Sequence, residues 1–126
     1  MKASFAYTGI RVKDLEKSVK FYTQVLSMKE VGRSDIEATS GEIVKLASED
    51  GGPKLELNFY EKGSKFATEY SVGEGIDHLA FNVENLDRAL EEAKKLGHPA
   101  VLIMGEGDGR WAYIKDPNGI DIELLA

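Results

Sequence analysis

The sequence contains no cysteine, only two histidines and three prolines, and no long apolar run. The absence of cysteine excludes disulfide bonds, thiolate metal sites and cysteine nucleophiles. The longest apolar stretch, Ala100 to Met104, is far too short to span a bilayer, which takes about 20 apolar residues. The first residues show no apolar segment followed by a small-residue cleavage site, so no secretory signal is expected. These absences predict a cytoplasmic protein without a membrane span.

Basic residues are also scarce relative to acidic ones, 16 against 22, which gives a formal net charge of −6. Nucleic acids and anionic membrane surfaces are bound mainly through Lys and Arg, so neither is expected as a partner. A chain of 126 residues forms one domain, or two small halves that share a core. The net charge therefore argues against nucleic acids and anionic membranes as partners, but it does not indicate which partner the protein has.

The hydrophobic periodicity and the turn residues predict the order strand-helix-strand-strand-strand, and this order occurs twice. The first half is predicted to contain strands Phe5 to Val12, Val31 to Ile36, Ser40 to Ala47 and Pro53 to Tyr60, and a helix capped by Asp14. The second half is predicted to contain strands Ile76 to Val83, Ala100 to Met104, Arg110 to Lys115 and Ile120 to Leu125, and a helix capped by Asn85. An offset of 71 residues superposes the two strand-helix openings, and an offset of 67 superposes the two last strands. The repeat predicts two modules, about 1–62 and about 76–126, joined by about 63–75, in a single domain over 1–126.

Four polar residues are related by this repeat. Alternation along the strands places Tyr7, Glu56, His78 and Glu123 on the face without helices, with Tyr7 equivalent to His78 and Glu56 to Glu123. Each residue alone would be interpreted as solvated surface, but the pairing favours a common site. Two adjacent carboxylates repel unless a divalent cation lies between them, and one imidazole with two carboxylates suits Zn, Ni, Mn or Fe. We predict that Glu56, His78 and Glu123 are metal ligands. Tyr7 occupies the fourth position, where we expect it to form part of the pocket wall rather than to bind the metal.

Five stretches of the sequence resemble the vicinal oxygen chelate superfamily (glyoxalase, bleomycin resistance and extradiol dioxygenase proteins), and within it glyoxalase I, a lactoylglutathione lyase. These stretches are Thr8 to Leu15, Phe21 to Leu26, Leu55 to Leu57, Asp77 to Phe81 and Asp116 to Leu124. The resemblance implies an α+β fold of two tandem βαβββ modules. Their strands would form a curled, cup-shaped mixed sheet with the helices on its outer face. It also implies a homodimer.

The resemblance further implies a metal-dependent lyase or isomerase that moves a proton on a small α-oxo, hemithioacetal-type substrate through a metal-stabilised enediolate. One divalent metal ion is implied, with a thiol cosubstrate such as glutathione. By matching motif, Glu56, His78 and Glu123 are the metal ligands and the two glutamates the catalytic groups, whereas Tyr7 replaces a usual His or Gln.

The expected substrate-binding residues are Tyr7, Arg11, Arg110 and Trp111. Arg11 matches a family arginine that meets a glutathione carboxylate, as a bidentate guanidinium can. Arg110 lies beside the position of a second basic residue of the family. Trp111 shares a strand face with Tyr113, where both side chains either line the pocket or belong to the core.

Two other functions remain open at this point. The chain could be a non-catalytic small-molecule-binding protein, as the bleomycin-sequestering relatives are, and Tyr7 favours that alternative. It could also be an epimerase or dioxygenase relative. Extradiol dioxygenases need two histidines and one Glu, however, and methylmalonyl-CoA epimerases prefer Gln where Glu56 stands. Uptake of metal distinguishes the enzyme from the binding protein.

Overall fold

The computed structural model describes residues 1–2, 6–74, 76 and 78–126, and the chain divides into two structural units, 1–70 and 71–126. The helix and strands described in the first unit are β1 (Tyr7–Arg11), α1 (Leu15–Gln24), β2 (Lys29–Ile36), β3 (Gly41–Ala47) and β4 (Lys54–Tyr60). Those described in the second unit are β5 (His78–Asn82), α2 (Leu86–Lys95), β6 (Leu102–Met104), β7 (Trp111–Lys115) and β8 (Asp121–Leu125). The order of elements confirms the predicted repeat.

Several strand ends differ from the prediction by one or two residues. The first strand runs from Tyr7 to Arg11 rather than from Phe5 to Val12, and Phe5 lies outside the described residues. The fifth begins at His78 rather than at Ile76, and Asp77 also lies outside the described residues. Strand ends are the least certain part of a sequence-based assignment, because an end depends on where the neighbouring strand stops.

Both helices begin at a side-chain cap, as predicted. The carboxylate of Asp14 accepts a hydrogen bond from the backbone N–H of Lys17 at 3.0 Å, and the amide oxygen of Asn85 accepts one from Arg88 at 2.9 Å. Such caps each contribute about 1 kcal/mol, because they satisfy N–H groups that the helix leaves without partners. Gly97 follows α2 with a φ of 91°, a left-handed conformation that ends the helix.

Each helix has ten residues, and the described part of the chain contains no helix long and apolar enough to cross a membrane.

Each unit forms a four-stranded mixed sheet, with strand order β1-β4-β3-β2 in the first and β5-β8-β7-β6 in the second. The pairs β1–β4 and β5–β8 are parallel, and the remaining neighbours are antiparallel. These two sheets confirm the α+β class and the two βαβββ modules. The cup-shaped curl concerns both sheets together and stays a prediction.

The register of the parallel pair is the same in both sheets. Tyr7 lies opposite Lys54 in the first sheet, and His78 lies opposite Asp121 in the second. Tyr7 and His78 are 71 residues apart, and Lys54 and Asp121 are 67 residues apart. These are the two offsets that superpose the halves of the sequence. Tyr7 and His78 therefore occupy equivalent positions, as the repeat predicts.

One face of each sheet is apolar and buried. Its residues are Ile10, Val44, Leu46, Leu55 and Leu57 in the first sheet, and Ala112, Ile114, Ile122 and Leu124 in the second. Helix α1 packs on the first sheet and buries Val19, Phe21 and Tyr22. Because strand side chains alternate, the residues between these positions lie on the opposite face, which carries the predicted site.

The turn between β7 and β8 sets the register of this last strand pair. The carboxylate of Asp116 accepts hydrogen bonds from the backbone N–H groups of Asn118 at 2.7 Å and Ile120 at 2.8 Å. Gly119 adopts a φ of 86°, which favours glycine. The predicted Asp-Pro-Asn-Gly turn is thus confirmed, and it fixes the position along the sheet at which Glu123 lies in β8.

Candidate metal and substrate site

Glu56 and Glu123 occupy the same position in their two sheets. Glu56 in β4 lies opposite Gly9 in β1, and Glu123 in β8 lies opposite Ala80 in β5. Both glutamates alternate with the buried apolar residues of their strands, so both lie on the face away from the apolar core. The sequence-based assignment of these two residues to equivalent positions agrees with the strand register.

His78 and Glu123 come into direct contact in the second unit. The imidazole Nε2 lies 3.3 Å from Oε2 of the carboxylate, and 17% of the Glu123 side chain is exposed. The contact arises because β5 and β8 are parallel neighbours in which His78 lies opposite Asp121, two residues before Glu123. Two of the three predicted metal ligands are therefore adjacent.

The spacing of this pair suits a shared metal ion. Imidazole nitrogen and carboxylate oxygen bind Zn²⁺ tetrahedrally at about 2.0–2.2 Å, so two such ligands on one ion lie about 3.3–3.6 Å apart. The observed 3.3 Å between His78 and Glu123 lies at the lower end of that interval. The pair is also accessible from solvent, since 36% of the His78 side chain is exposed.

Glu56 is the buried carboxylate of the first unit. The residue is only 8% exposed, and among the residues that the structure describes no side chain donates a hydrogen bond or forms an ion pair with its carboxylate. No side-chain oxygen of the described residues is both buried and without a partner, so solvent reaches the Glu56 carboxylate although most of the residue is buried. A carboxylate that is accessible and bound to no other side chain is available to bind a cation.

The full predicted set of ligands does not lie in one unit. Within neither unit do three or more His, Asp or Glu side chains converge, as far as the described residues extend. His78 and Glu123 lie in the second unit, whereas Glu56 and the half-exposed Tyr7 lie in the first.

Arg11, a predicted substrate-binding residue, is held by the segment that follows β4. Its Nη1 donates a hydrogen bond to Oγ1 of Thr68 at 2.7 Å, and its guanidinium carbon lies 5.1 Å from the centre of the Tyr70 ring. The ammonium of Lys13 lies 5.2 Å from the same ring. Two cations therefore lie over the Tyr70 ring, and the guanidinium of Arg11 is already oriented within its own unit.

Arg110, a second predicted substrate-binding residue, forms a two-pronged ion pair with Asp87 in the first turn of α2. Its two terminal nitrogens lie 2.8 and 3.2 Å from the carboxylate oxygens. The hydrogen bonds from Arg110 lower the pKa of Asp87, and those same bonds raise the pKa of Arg110. This pair orients Arg110 next to Trp111.

Trp111 and Tyr113 continue from His78 as a row of rings. The ring centres of Trp111 and Tyr113 lie 5.2 Å apart in an edge-to-face arrangement, and those of Tyr113 and His78 lie 5.8 Å apart. Tyr113 also lies opposite Glu123 in the β7–β8 register. Alternation along the strand predicts that Trp111 and Tyr113 share a face. No local sequence pattern predicts the contact of Tyr113 with His78.

Comparison with known proteins gives consistent matches over almost the whole chain. The model of the Glyoxalase/Bleomycin resistance protein/Dioxygenase superfamily matches residues 4–124. A probable lactoylglutathione lyase of Vibrio parahaemolyticus is 32% identical over 124 residues, covering 94% of this chain and 87% of that protein.

Two solved structures extend the comparison to the fold. A trypanothione-dependent glyoxalase I of Leishmania major is 29% identical, with a TM-score of 0.77 over 98% of this chain and 86% of that one. A fosfomycin resistance protein of Listeria monocytogenes, in complex with Mn(II) and dihydroxypropylphosphonic acid, is 21% identical, with a TM-score of 0.71 over 100% of this chain and 91% of that one. At this identity the latter shows the fold alone.

Proposed function

Because the chain belongs to the Glyoxalase/Bleomycin resistance protein/Dioxygenase superfamily, we propose that it is a metal-dependent lyase of glyoxalase I type. Its substrate would be the hemithioacetal formed from a small α-oxo aldehyde and a thiol, and its product the corresponding α-hydroxy thioester. The observation that carries this proposal is the adjacency of His78 and Glu123, whose Nε2 and Oε2 atoms lie 3.3 Å apart. The probable lactoylglutathione lyase of V. parahaemolyticus supports the reaction type.

His78, Glu123 and Glu56 would hold one divalent metal ion, of which Zn, Ni, Mn and Fe are the candidates. The ion would supply positive charge that stabilises an enediolate as negative charge develops on the two adjacent oxygens of the substrate. The carboxylate of Glu56, which no described donor contacts, supports its inclusion in this set. Tyr7 forms a wall of the site rather than a ligand.

The glutamates would carry the proton transfer. Glu123 would remove the proton from the carbon that bears the sulfur and the hydroxyl, and the acid so formed would return it to the neighbouring carbonyl carbon. The hydroxyl proton moves from one oxygen to the other, so both hydrogens stay in the product and neither an oxidant nor a reductant is consumed. Glu56 is the second catalytic carboxylate.

The remaining parts of the proposal concern the thiol and the assembly. A glutathione-like thiol would place a carboxylate at Arg11, whose guanidinium is oriented by Thr68 and Tyr70. The trypanothione-dependent relative of L. major supports the inclusion of other thiols in the assay. The chain would act as a cytoplasmic homodimer, with Glu56 supplied by the same chain or by the second copy.

A second candidate is a non-catalytic small-molecule-binding or antibiotic-sequestering protein. The specific observation in its favour is Tyr7, a phenol at the register position that His78 occupies in the second sheet. A neutral phenol is a poor metal ligand, so a binding protein would need no metal at this position.

The decisive experiment reconstitutes the purified chain with Zn²⁺, Ni²⁺, Mn²⁺ or Fe²⁺ and measures bound metal by elemental analysis. The same samples are assayed for conversion of methylglyoxal hemithioacetals to thioesters. We expect stoichiometric metal and turnover, and a loss of about 10²–10⁴-fold in kcat for Glu123→Gln, assayed at a metal concentration that keeps the variant loaded because an amide is a poorer ligand. Glu84→Gln, an exposed charge before α2, is the matched control. Absence of metal uptake would contradict the enzyme, and full activity in Glu123→Gln would contradict the role of Glu123.

A further inference from the structure

The turn between β7 and β8 contains the only Asn-Gly dipeptide of the sequence, Asn118–Gly119. In such a dipeptide the backbone nitrogen of the glycine can attack the side-chain amide carbon of the asparagine, because no β-carbon obstructs its approach. The attack releases ammonia and forms a cyclic succinimide. Water then opens the ring to aspartate or isoaspartate, so the atoms balance and neither an oxidant nor a reductant is consumed. The other asparagines, Asn58, Asn82 and Asn85, all precede residues with large side chains.

The closed turn engages both groups that would react. The backbone nitrogen of Gly119, which is the nucleophile, donates a hydrogen bond to the carbonyl oxygen of Asp116 at 3.0 Å. The side-chain Nδ2 of Asn118 donates to Oδ2 of Asp116 at 2.7 Å, and Asn118 is fully buried. The backbone N–H of Asn118 donates to the other oxygen of that carboxylate, also at 2.7 Å. The attack therefore requires that the turn first open.

The product of the reaction does not fit the closed turn. An aspartate at position 118 would have a carboxylate oxygen where Nδ2 now lies, 2.7 Å from Oδ2 of Asp116. Two carboxylates at this distance repel each other, and the hydrogen bond between the side chains is lost because an ionised carboxylate has no proton to donate. Isoaspartate would in addition lengthen the main chain by one carbon atom within the turn. Both products should therefore destabilise the closed turn.

The structure also explains why the reactive dipeptide stands here. Gly119 has a φ of 86°, and a Cβ at this position would lie 3.2 Å from both methyl carbons of Val72, so a larger residue is disfavoured. At position 118 the amide supplies the donor that binds Oδ2 of Asp116. The turn that sets the register of β8 thus depends on a dipeptide that can react whenever the turn opens.

From these observations we propose that Asn118 is a spontaneous deamidation site, that the closed turn protects it, and that its conversion disturbs the strand that carries Glu123. Asp116 holds Ile120 through two hydrogen bonds, from the N–H of Ile120 to the carboxylate at 2.8 Å and from its own N–H to the carbonyl of Ile120 at 3.0 Å. Ile120 directly precedes β8. The consequence for metal binding at Glu123 rests on the proposed function, whereas the reaction at Asn118 does not.

Peptide mapping by mass spectrometry tests the protection. The wild-type chain is incubated at mildly alkaline pH, folded in one sample and unfolded in guanidinium chloride in the other, and is then cleaved with trypsin after Lys115. Asn118 is the one asparagine of the peptide 116–126, so the mass gain of this peptide reports the reaction. We expect deamidation to be at least about tenfold slower in the folded sample. Equal rates would overturn the protection, and no reaction in the unfolded sample would overturn the site.

The variant Asn118→Asp contains one product of the reaction from the start. It should lower the midpoint of thermal unfolding by several degrees at neutral pH. Asn85→Asp is the matched control, since it makes the same change at the cap of α2, where an aspartate is an equally good cap. Its midpoint should stay close to that of the wild type. Equal midpoints for the two variants would overturn the effect of the product on the turn.

Competition with a chromophoric chelator measures the effect on the candidate metal site. Asn118→Asp should bind Zn²⁺ at least about tenfold more weakly than Asn85→Asp, because β8 would no longer hold Glu123 beside His78. An unchanged affinity would overturn the coupling of the turn to Glu123. If the wild type itself binds no metal, the proposed function fails, whereas the peptide mapping and the unfolding midpoints still decide whether Asn118 is a protected deamidation site.

Discussion

Glu56 and Glu123 occupy equivalent positions in their two sheets, yet they differ in whether a partner side chain contacts the carboxylate. Oε2 of Glu123 lies 3.3 Å from Nε2 of His78. Glu56 is 8% exposed, and the described residues offer its carboxylate no donor. The difference between the two glutamates leads to the first prediction.

Glu56→Gln should weaken metal binding by about tenfold or more, since an amide oxygen is a poorer ligand for a divalent cation than a carboxylate. Competition with a chromophoric chelator measures the affinity of wild type and variant for Zn²⁺. Glu84→Gln, an exposed charge before α2, is the matched control and should leave this affinity unchanged. Equal affinities of wild type and Glu56→Gln would contradict the place of Glu56 among the ligands.

The Asp87–Arg110 pair should be visible in the pH dependence of stability. The hydrogen bonds from Arg110 lower the pKa of Asp87 from its ordinary value of 3.8. The pair therefore stabilises the folded state when the pH is above the ordinary pKa of 3.8. This stabilisation is lost as the pH falls through the lower pKa that Asp87 has in the folded state. In an NMR titration, Arg110→Gln should return the midpoint of the Asp87 carboxyl to its ordinary value. Equal midpoints in wild type and variant would show that the pair does not form in solution.

Arg33 should stabilise the first unit through three glutamates. Its guanidinium contacts Glu16 of α1, Glu30 of β2 and Glu42 of β3, the last two at 2.9 and 3.0 Å. Arg33→Gln should lower the free energy of unfolding by about 1 kcal/mol, since each partly exposed pair contributes only a few tenths.

The control for Arg33 is Arg88→Gln, which removes a single pair with Glu92 on the exposed face of α2. Its cost should be about a third of that of Arg33→Gln. Both losses should shrink in about 1 M salt, where exposed charges are screened. A loss that is unchanged by salt would indicate that packing, rather than charge, is responsible.

The local features of the fold could be predicted because each depends on a few neighbouring residues. Asp14 and Asn85 are caps for helices that follow them at once, and the Asp116 turn is closed by its own side chain. The face occupied by Glu56 and Glu123 follows from alternation along a strand. The repeat then relates the two positions without any knowledge of tertiary contacts.

The contacts made over long sequence separations could not be predicted in this way. The bond of Arg11 to Thr68 joins residues 57 apart, and the pair of Arg110 with Asp87 joins residues 23 apart. Both depend on how a loop or a helix folds back on its sheet. The contact between Tyr113 and His78 likewise requires that β5, β8 and β7 be neighbours in that order. The sequence pattern therefore predicts the strand position and face of a residue better than the partners of its side chain.

Tyr7→His should strengthen metal binding, because it would place an imidazole at the position equivalent to that of His78. Tyr7 is 49% exposed and lies opposite Lys54, as His78 lies opposite Asp121, so the change should not disturb the buried face of the sheet. One further nitrogen ligand should raise the affinity for Zn²⁺ by about tenfold or more. Competition with a chromophoric chelator measures this affinity. Tyr7→Phe is the control and should leave it unchanged, because a phenol contributes little as a neutral ligand. If Tyr7→Phe instead weakened Zn²⁺ binding by about tenfold or more, the phenol of Tyr7 would itself be a ligand of the metal.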